Sequence, residues 1–290
     1  MWIILWIIQS FLNSVGMILT KKVLENKAVG NNIQTLFSRF NHLIILLLVI
    51  SLGFFDFKLN NSWFTYTDIV LLLVATTWLY ITYPLRRIAY ANEKISTLQP
   101  FAMLFQVFPV IIGFIFIASE RANLITFIFA LIASFIVIIP NIDLKTFKIN
   151  KYSLMVLTSS IIKSFQLFAT VYFLSKLDAV NFYLLESIII IIFSVILLII
   201  KREFNQFKLL TKKYVRLLTI ANSVSVVSIV LVLTMYTNLW IIATSLLGLL
   251  YILFVFSLWY VFLWEKPTKK DIIITILISI CITIWLFFKN

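Results

Sequence analysis

Long apolar runs broken by short charged stretches repeat along the whole chain, at positions 2–20, 36–54, 69–85, 95–118, 124–140, 154–174, 180–200, 217–235, 240–264 and 272–288. A helix needs roughly 20 mostly apolar residues to cross a hydrocarbon layer about 30 Å thick, which matches the length of these ten runs. Inside lipid, backbone amides must be satisfied within the segment, so the runs predict helices despite their Ile, Val and Phe content. The expected fold is an all-α integral membrane protein of ten transmembrane helices. The stretches between the runs are too short for a separate aqueous domain.

Composition narrows the picture further. Hydrophobic residues make up 62% of the 290 positions and charged residues 12%, with a mean hydropathy of +1.08. No soluble core absorbs that much apolar surface. The first run starts at Trp2 without a basic leader segment or a small-residue cleavage site, so it is expected to stay as a membrane helix. One Cys and one His leave no metal, haem or disulfide framework, and no cofactor is expected. Cys281 reads as packing.

The net charge of +13 is read as topology, not as a nucleic-acid surface. Of the 24 Lys and Arg, 18 fall after runs 1, 3, 5, 7 and 9, while the opposite side holds Lys58, Arg121, Lys176 and Lys289. The positive-inside rule then makes the odd-numbered loops cytoplasmic and both termini external. The densest cluster, 201–216, also has the make-up of a basic segment lying against anionic lipid. The address expected is a bacterial or archaeal plasma membrane.

Two halves, 1–145 and 146–290, share a pattern. Ser10-Phe11-Leu12-Asn13-Ser14 recurs 150 positions later as Ser160-Ile161-Ile162-Lys163-Ser164, and Glu120-Arg121 recurs 145 positions later as Glu265-Lys266. Polar stripes superpose under the same shifts: Gln9, Asn13 and Gly16 onto Ser159, Lys163 and Gln166; Thr77, Tyr80 and Tyr83 onto Asn222, Ser225 and Ser228; Gln99, Met103 and Gln106 onto Thr244, Gly248 and Tyr251. Five helices is an odd number, so the second half is expected to sit inverted, the usual geometry of alternating access.

Five plus five spans, with an acidic-basic pair closing the fourth span of each half, resemble the EamA type of the drug/metabolite transporter superfamily. The stretch that carries the resemblance runs from Arg87-Ile88-Ala89-Tyr90 through Ile95-Ser96-Thr97-Leu98-Gln99-Pro100 to Glu120-Arg121; the second half keeps Glu265 and the spacing, with Ser245 in place of the proline. The resemblance implies a basket in which spans 1, 3, 4, 6, 8 and 9 surround a central cavity and spans 5 and 10 lie outside. Family members are drawn with their termini inside, opposite to the loop charge here. With only five glycines, close helix approach is expected to rely on Ala and Ser.

The candidate cavity residues are therefore Gln9, Asn13, Thr77, Tyr80, Tyr83, Gln99, Gln106, Ser159, Lys163, Gln166, Asn222, Ser225 and Tyr251, with Glu186 a candidate for proton coupling. A lysine near mid-span costs several kcal/mol to insert and faces a cavity or a carboxylate. Whether Lys163 pairs with Glu186 stays open. Tyr80, Tyr83, Tyr251 and Trp78 form a candidate aromatic box. Arg39 and His42 are expected at the interface, where an arginine snorkels, and Glu120 and Glu265 at helix ends. Pro84, Pro100 and Pro109 mark bending points in spans 3 and 4. No GxxxxGK[ST] loop is present, so this chain supplies no ATP drive.

The function expected is a secondary transporter of a small polar or amphipathic metabolite, not an enzyme, acting as a monomer or homodimer with membrane lipid around it. A lipid or lipid-linked sugar flippase of the same fold is the alternative. A membrane transferase would need clustered Asp, His or Arg, and only 11 acidic residues and one His are available.

Overall fold

The computed structural model describes residues 2–24, 30–53, 65–93, 95–121, 124–139, 150–238, 248, 254, 258 and 269–289. Among them there is no strand, and the helices are α1 (Trp2–Leu24), α2 (Asn31–Ser51), α3 (Tyr66–Asn92), α4 (Ile95–Phe116), the short α5 (Ala118–Arg121), α6 (Leu124–Ile138), α7 (Lys151–Leu174), α8 (Ala179–Lys201), α9 (Lys212–Asn238) and α10 (Lys269–Lys289). A 3₁₀ segment, Glu203–Leu209, joins α8 to α9. Of the ten runs, the ninth, 240–264, lies almost wholly outside the described residues.

Polar residues set the helix ends. Thr65 and Asp68 close a capping box at the start of α3. Asn150 and Asp178 accept from backbone amides at the starts of α7 and α8. Gly53, at φ 75°, takes the left-handed position that ends α2. Most of the helices run beyond the apolar runs. α2 begins at Asn31, so Arg39 sits two turns inside it and is 4% exposed, not interfacial. α3 continues through Pro84 to Asn92, which takes Arg86 and Arg87 out of the loop and into the helix.

Six helices are long and apolar enough to cross a membrane, namely Ile4–Leu24, Asn32–Ser51, Tyr66–Asn92, Lys151–Leu174, Ala179–Lys201 and Lys212–Tyr236, and two apolar helices, Leu124–Ile136 and Ile272–Phe288, are shorter. The surface has the make-up of a multi-pass membrane protein: Leu48, Phe135, Ile200 and Phe287 are more than half exposed, whereas Ser10, Ser14, Ser159, Ser160, Ser164, Ser187 and Ser194 are fully buried. Small serines let helices approach closely. Several of them hydrogen-bond the carbonyl one turn back, as Ser14 does to Ser10 O at 2.7 Å and Ser164 to Ser160 O at 2.8 Å, which satisfies those two hydroxyls.

In the bundle α1 packs along α9, α3 along α7, α2 against α8, and α4 against α6 and α7, while α6 and α10 pair with each other. One end is tied by Lys21 of α1, which donates to the carbonyls of Tyr90 and Glu93, by Asn150 to Glu93 at 2.7 Å, and by Gly30 N to Gln206 at 2.9 Å. Lys22, Lys151, Lys201, Arg202, Lys212 and Lys213 collect at this end, called here the basic end. The opposite end is fastened by Asp68, which accepts from Lys176 at 2.8 Å and from Tyr172 at 2.6 Å.

Candidate functional site

A cavity of about 390 Å³ lies inside the bundle, a volume that suits one small organic molecule. Walls come from α1, α2, α3, α4, α7, α8 and α9, with Gly248 from the ninth run also on its surface. Of the residues chosen from sequence, Gln9, Asn13, Tyr83, Lys163, Gln166, Ser225 and Glu186 line it.

Glu186 on α8 is the hub. Its Oε2 faces Arg39 Nη1 of α2 at 3.4 Å, and its Oε1 accepts from Gln166 Nε2 of α7 at 3.3 Å. Gln166 also donates to Thr170 Oγ1 at 2.9 Å. Arg39 reaches Ser187 Oγ at 3.4 Å, and its guanidinium lies 5.1 Å from the Tyr83 ring centre and 5.2 Å from that of Tyr183. Two aromatic faces thus share a cation that one carboxylate neutralises. Behind them the Tyr183 hydroxyl meets His42 Nδ1 at 2.7 Å, which makes His42 a buried hydrogen-bonding residue.

Lys163 takes none of this. It lines the cavity half-buried, within electrostatic reach of Arg86, Arg39 and Glu186, and has no hydrogen-bond or ion-pair partner among the described residues. The carboxylate that the sequence offered it is held by Arg39. Arg86 enters the same wall from α3 and donates through Nε to Ser159 at 2.8 Å and through Nη2 to Ser160 at 3.2 Å. Ser160 in turn donates to Phe101 O of α4 at 3.1 Å.

Several sequence choices fall elsewhere. Thr77 faces outward with its hydroxyl on Leu73 O at 2.7 Å, and Trp78 is 43% exposed against Phe165; neither lines the cavity. Tyr80 is buried beside Leu79 and Ile190, with its hydroxyl on Asn32 at 3.1 Å. Ser159 and Asn222 are buried just behind the wall, Ser159 holding Arg86 and Asn222 accepting from Ser38 at 2.7 Å. The side chains of Gln99, Gln106 and Glu120, and residues Thr244, Tyr251 and Glu265, lie outside the described set. Arg121 donates to the carbonyls of Phe114 and Ile115 at the end of α4.

Sequence reasoning passed over Lys21, Arg39, Arg86 and Tyr90 as wall residues. A signal existed for two of them: Tyr83, Arg86 and Tyr90 follow i, i+3, i+7 on one face of α3.

Solved structures match this arrangement. One crystal structure of a protein aligns over 94% of this chain and 94% of its own, with a TM-score of 0.61 at 14% identity. The likeness is one of fold. No family model and no curated protein matches the chain.

Proposed function

We propose that this chain is a secondary transporter of the EamA type, built from two inverted five-helix halves, 1–145 and 146–290, that moves a small amphipathic metabolite by alternating access. The observation that carries the reading is a cavity with Arg39, Arg86, Lys163 and Glu186 on its wall, inside a bundle whose outer surface is apolar. A structural protein has no use for an arginine, a lysine and a carboxylate held at membrane depth, where each charge is costly.

The packing supports the two halves. Exchange of first-half with second-half helices turns the α1–α9 contact into α7–α3, and leaves α2–α8 and α6–α10 as they are; all four are packed pairs. The partner expected for the α4–α7 contact is the ninth run against α1, and Phe254 of that run stands 5.9 Å from Phe11 of α1, edge to face. In inverted-repeat carriers the site lies at the interface between repeats near the bilayer midplane. Lys163, 12 residues into the 24-residue α7, stands at mid-helix, where that reading expects the site.

One feature favours the flippase reading as a second choice. Away from the basic end the wall carries the large apolar side chains of Trp6, Phe182, Val232 and Leu233 beside the polar Thr170 and Tyr236, which would suit an acyl or prenyl chain.

Counterflow uptake in proteoliposomes, with the native chain and Lys163→Ala run side by side against a panel of metabolites, tests the transporter. Saturable uptake lost in the variant supports it. Absence of uptake for every soluble compound, with lipid flipping present, transfers the chain to the second reading.

A further inference from the structure

The charges on the cavity wall do not balance. Arg39, Arg86 and Lys163 face it, and among its described lining residues Glu186 is the one carboxylate. Glu186 is engaged by Arg39 at 3.4 Å. Arg86 is bonded to two neutral hydroxyls, and Lys163 has no partner among the described residues. An excess of positive charge in a low-dielectric bundle is costly unless a counter-charge arrives.

The imbalance is also polarised along the bundle. At 1.5 Å per residue, Arg86 is about 9 Å from the basic-end terminus of α3, Arg39 about 12 Å from that of α2, and Lys163 about 18 Å from that of α7. Beyond Lys163, toward the other end, Trp6, Phe182, Val232, Leu233 and Tyr236 line the wall with no cation among them.

We infer that the cavity takes an amphipathic organic anion, with its carboxylate or phosphate between Lys163 and Arg86 and its apolar part toward the end lined by Trp6, Phe182 and Leu233. The inference deepens the carrier reading by naming its substrate class. It rests on that reading for movement but not for binding. Lys163 supplies the charge that meets the anion, and the Arg39–Glu186 pair fixes the wall beside it.

Three probes with one ring system and three charges test it: 1-naphthylacetate, 1-naphthylethylammonium and 1-naphthaleneethanol, titrated by calorimetry into the full chain in nanodiscs against empty nanodiscs. Saturable binding is expected for the carboxylate alone, weakened at least about tenfold by Lys163→Met and retained by Lys163→Arg, because one charge-assisted contact is worth about that factor. The Lys163→Met and Arg86→Gln variants are checked for an unchanged melting temperature, and Arg86→Gln gives a second reading if the first unfolds. Equal or tighter binding of the ammonium probe, or naphthylacetate binding indifferent to both substitutions, overturns the inference.

The source of the anion is separated by two further arms. Counterflow of naphthylacetate assigns it to a soluble acid, and faster flipping of a fluorescent phosphatidylglycerol by the native chain than by Lys163→Met assigns it to a lipid headgroup. Binding without any movement leaves the anion site standing and removes the carrier. Counterflow of the ammonium probe alone keeps the carrier and removes the anion site. No binding of the carboxylate together with no flipping of the anionic lipid overturns the inference outright.

Discussion

Arg39 of α2 and Glu186 of α8 face each other at 3.4 Å, with side chains 5% and 6% exposed, and so join two helices that pack against each other. Such a pair contributes little net stability as a pair, but either charge left alone is expensive. Glu186→Met or Arg39→Met by itself is expected to cost on the order of 3 kcal/mol, toward the low end for a buried pair because the adjoining cavity is polar enough to hold water. The double substitution is expected to recover most of that loss. Unfolding midpoints of the four proteins in detergent measure it, and losses that simply add would show that the two side chains do not depend on one another.

At the opposite end, Lys176 donates to both oxygens of Asp68 at 2.8 Å and lies 4.7 Å from the Tyr172 ring centre. The hydrogen bonds to Asp68 and Tyr172 hold its ammonium above the usual lysine range. A raised folded value means that the stabilisation is fully present below the ordinary lysine pKa of 10.5 and fades as pH rises beyond it. The native chain is therefore expected to melt above Lys176→Met by a constant margin from pH 6 to about 9.5, and by a shrinking margin at higher pH. A margin that already changes near neutral pH would point to a different titrating group.

The sequence located the helices well and their ends less well, for one physical reason. An apolar run begins at its first apolar residue, whereas the helix begins at its cap. Thr65 and Asp68 start α3 three residues before the run at 69, and Gly30 precedes an α2 that starts five residues before the run at 36. Arg39 consequently looked interfacial and is buried. Lys163 was legible because it stands isolated in an apolar run, which only a cavity or a counter-charge tolerates. Arg86 was not, because beside Arg87 it reads as loop punctuation. Thr77 was misplaced into the cavity since polarity alone chose the stripe, and a threonine that bonds the carbonyl one turn back can face lipid without a stranded hydroxyl.

At Gly16, α1 lies tight against α9. A Cβ there would lie 3.1 Å from Ser225 Oγ and 3.8 Å from a Val224 methyl, and the Ser225 hydroxyl is committed to Ala221 O at 2.9 Å. Gly16→Leu is expected to push the two helices apart, lower stability by about 1–3 kcal/mol and narrow the cavity that Gly16 lines. Gly16→Ala combined with Ser225→Ala, which removes the obstructing oxygen, is expected to fold near the native midpoint. Melting curves for the two variants decide it; a Gly16→Leu protein as stable as the native one would mean that the helices slide at no cost.

The orientation proposed from loop charge has its own test, because the chain holds a single cysteine, Cys281, which is 5% exposed with its sulfur on Phe129 O. Cys281→Ser gives a background for placing one reporter at each end. Lys208 lies in the 3₁₀ segment at the basic end, and Leu52, 70% exposed, follows α2 at the other. If the basic end is cytoplasmic, a membrane-impermeant maleimide is expected to label Leu52→Cys in intact cells and Lys208→Cys only after permeabilisation. The cationic half of the cavity would then lie on the cytoplasmic side. The reverse labelling would place the termini inside, as in EamA-type carriers, and would show that the excess of basic residues at this end does not set the topology.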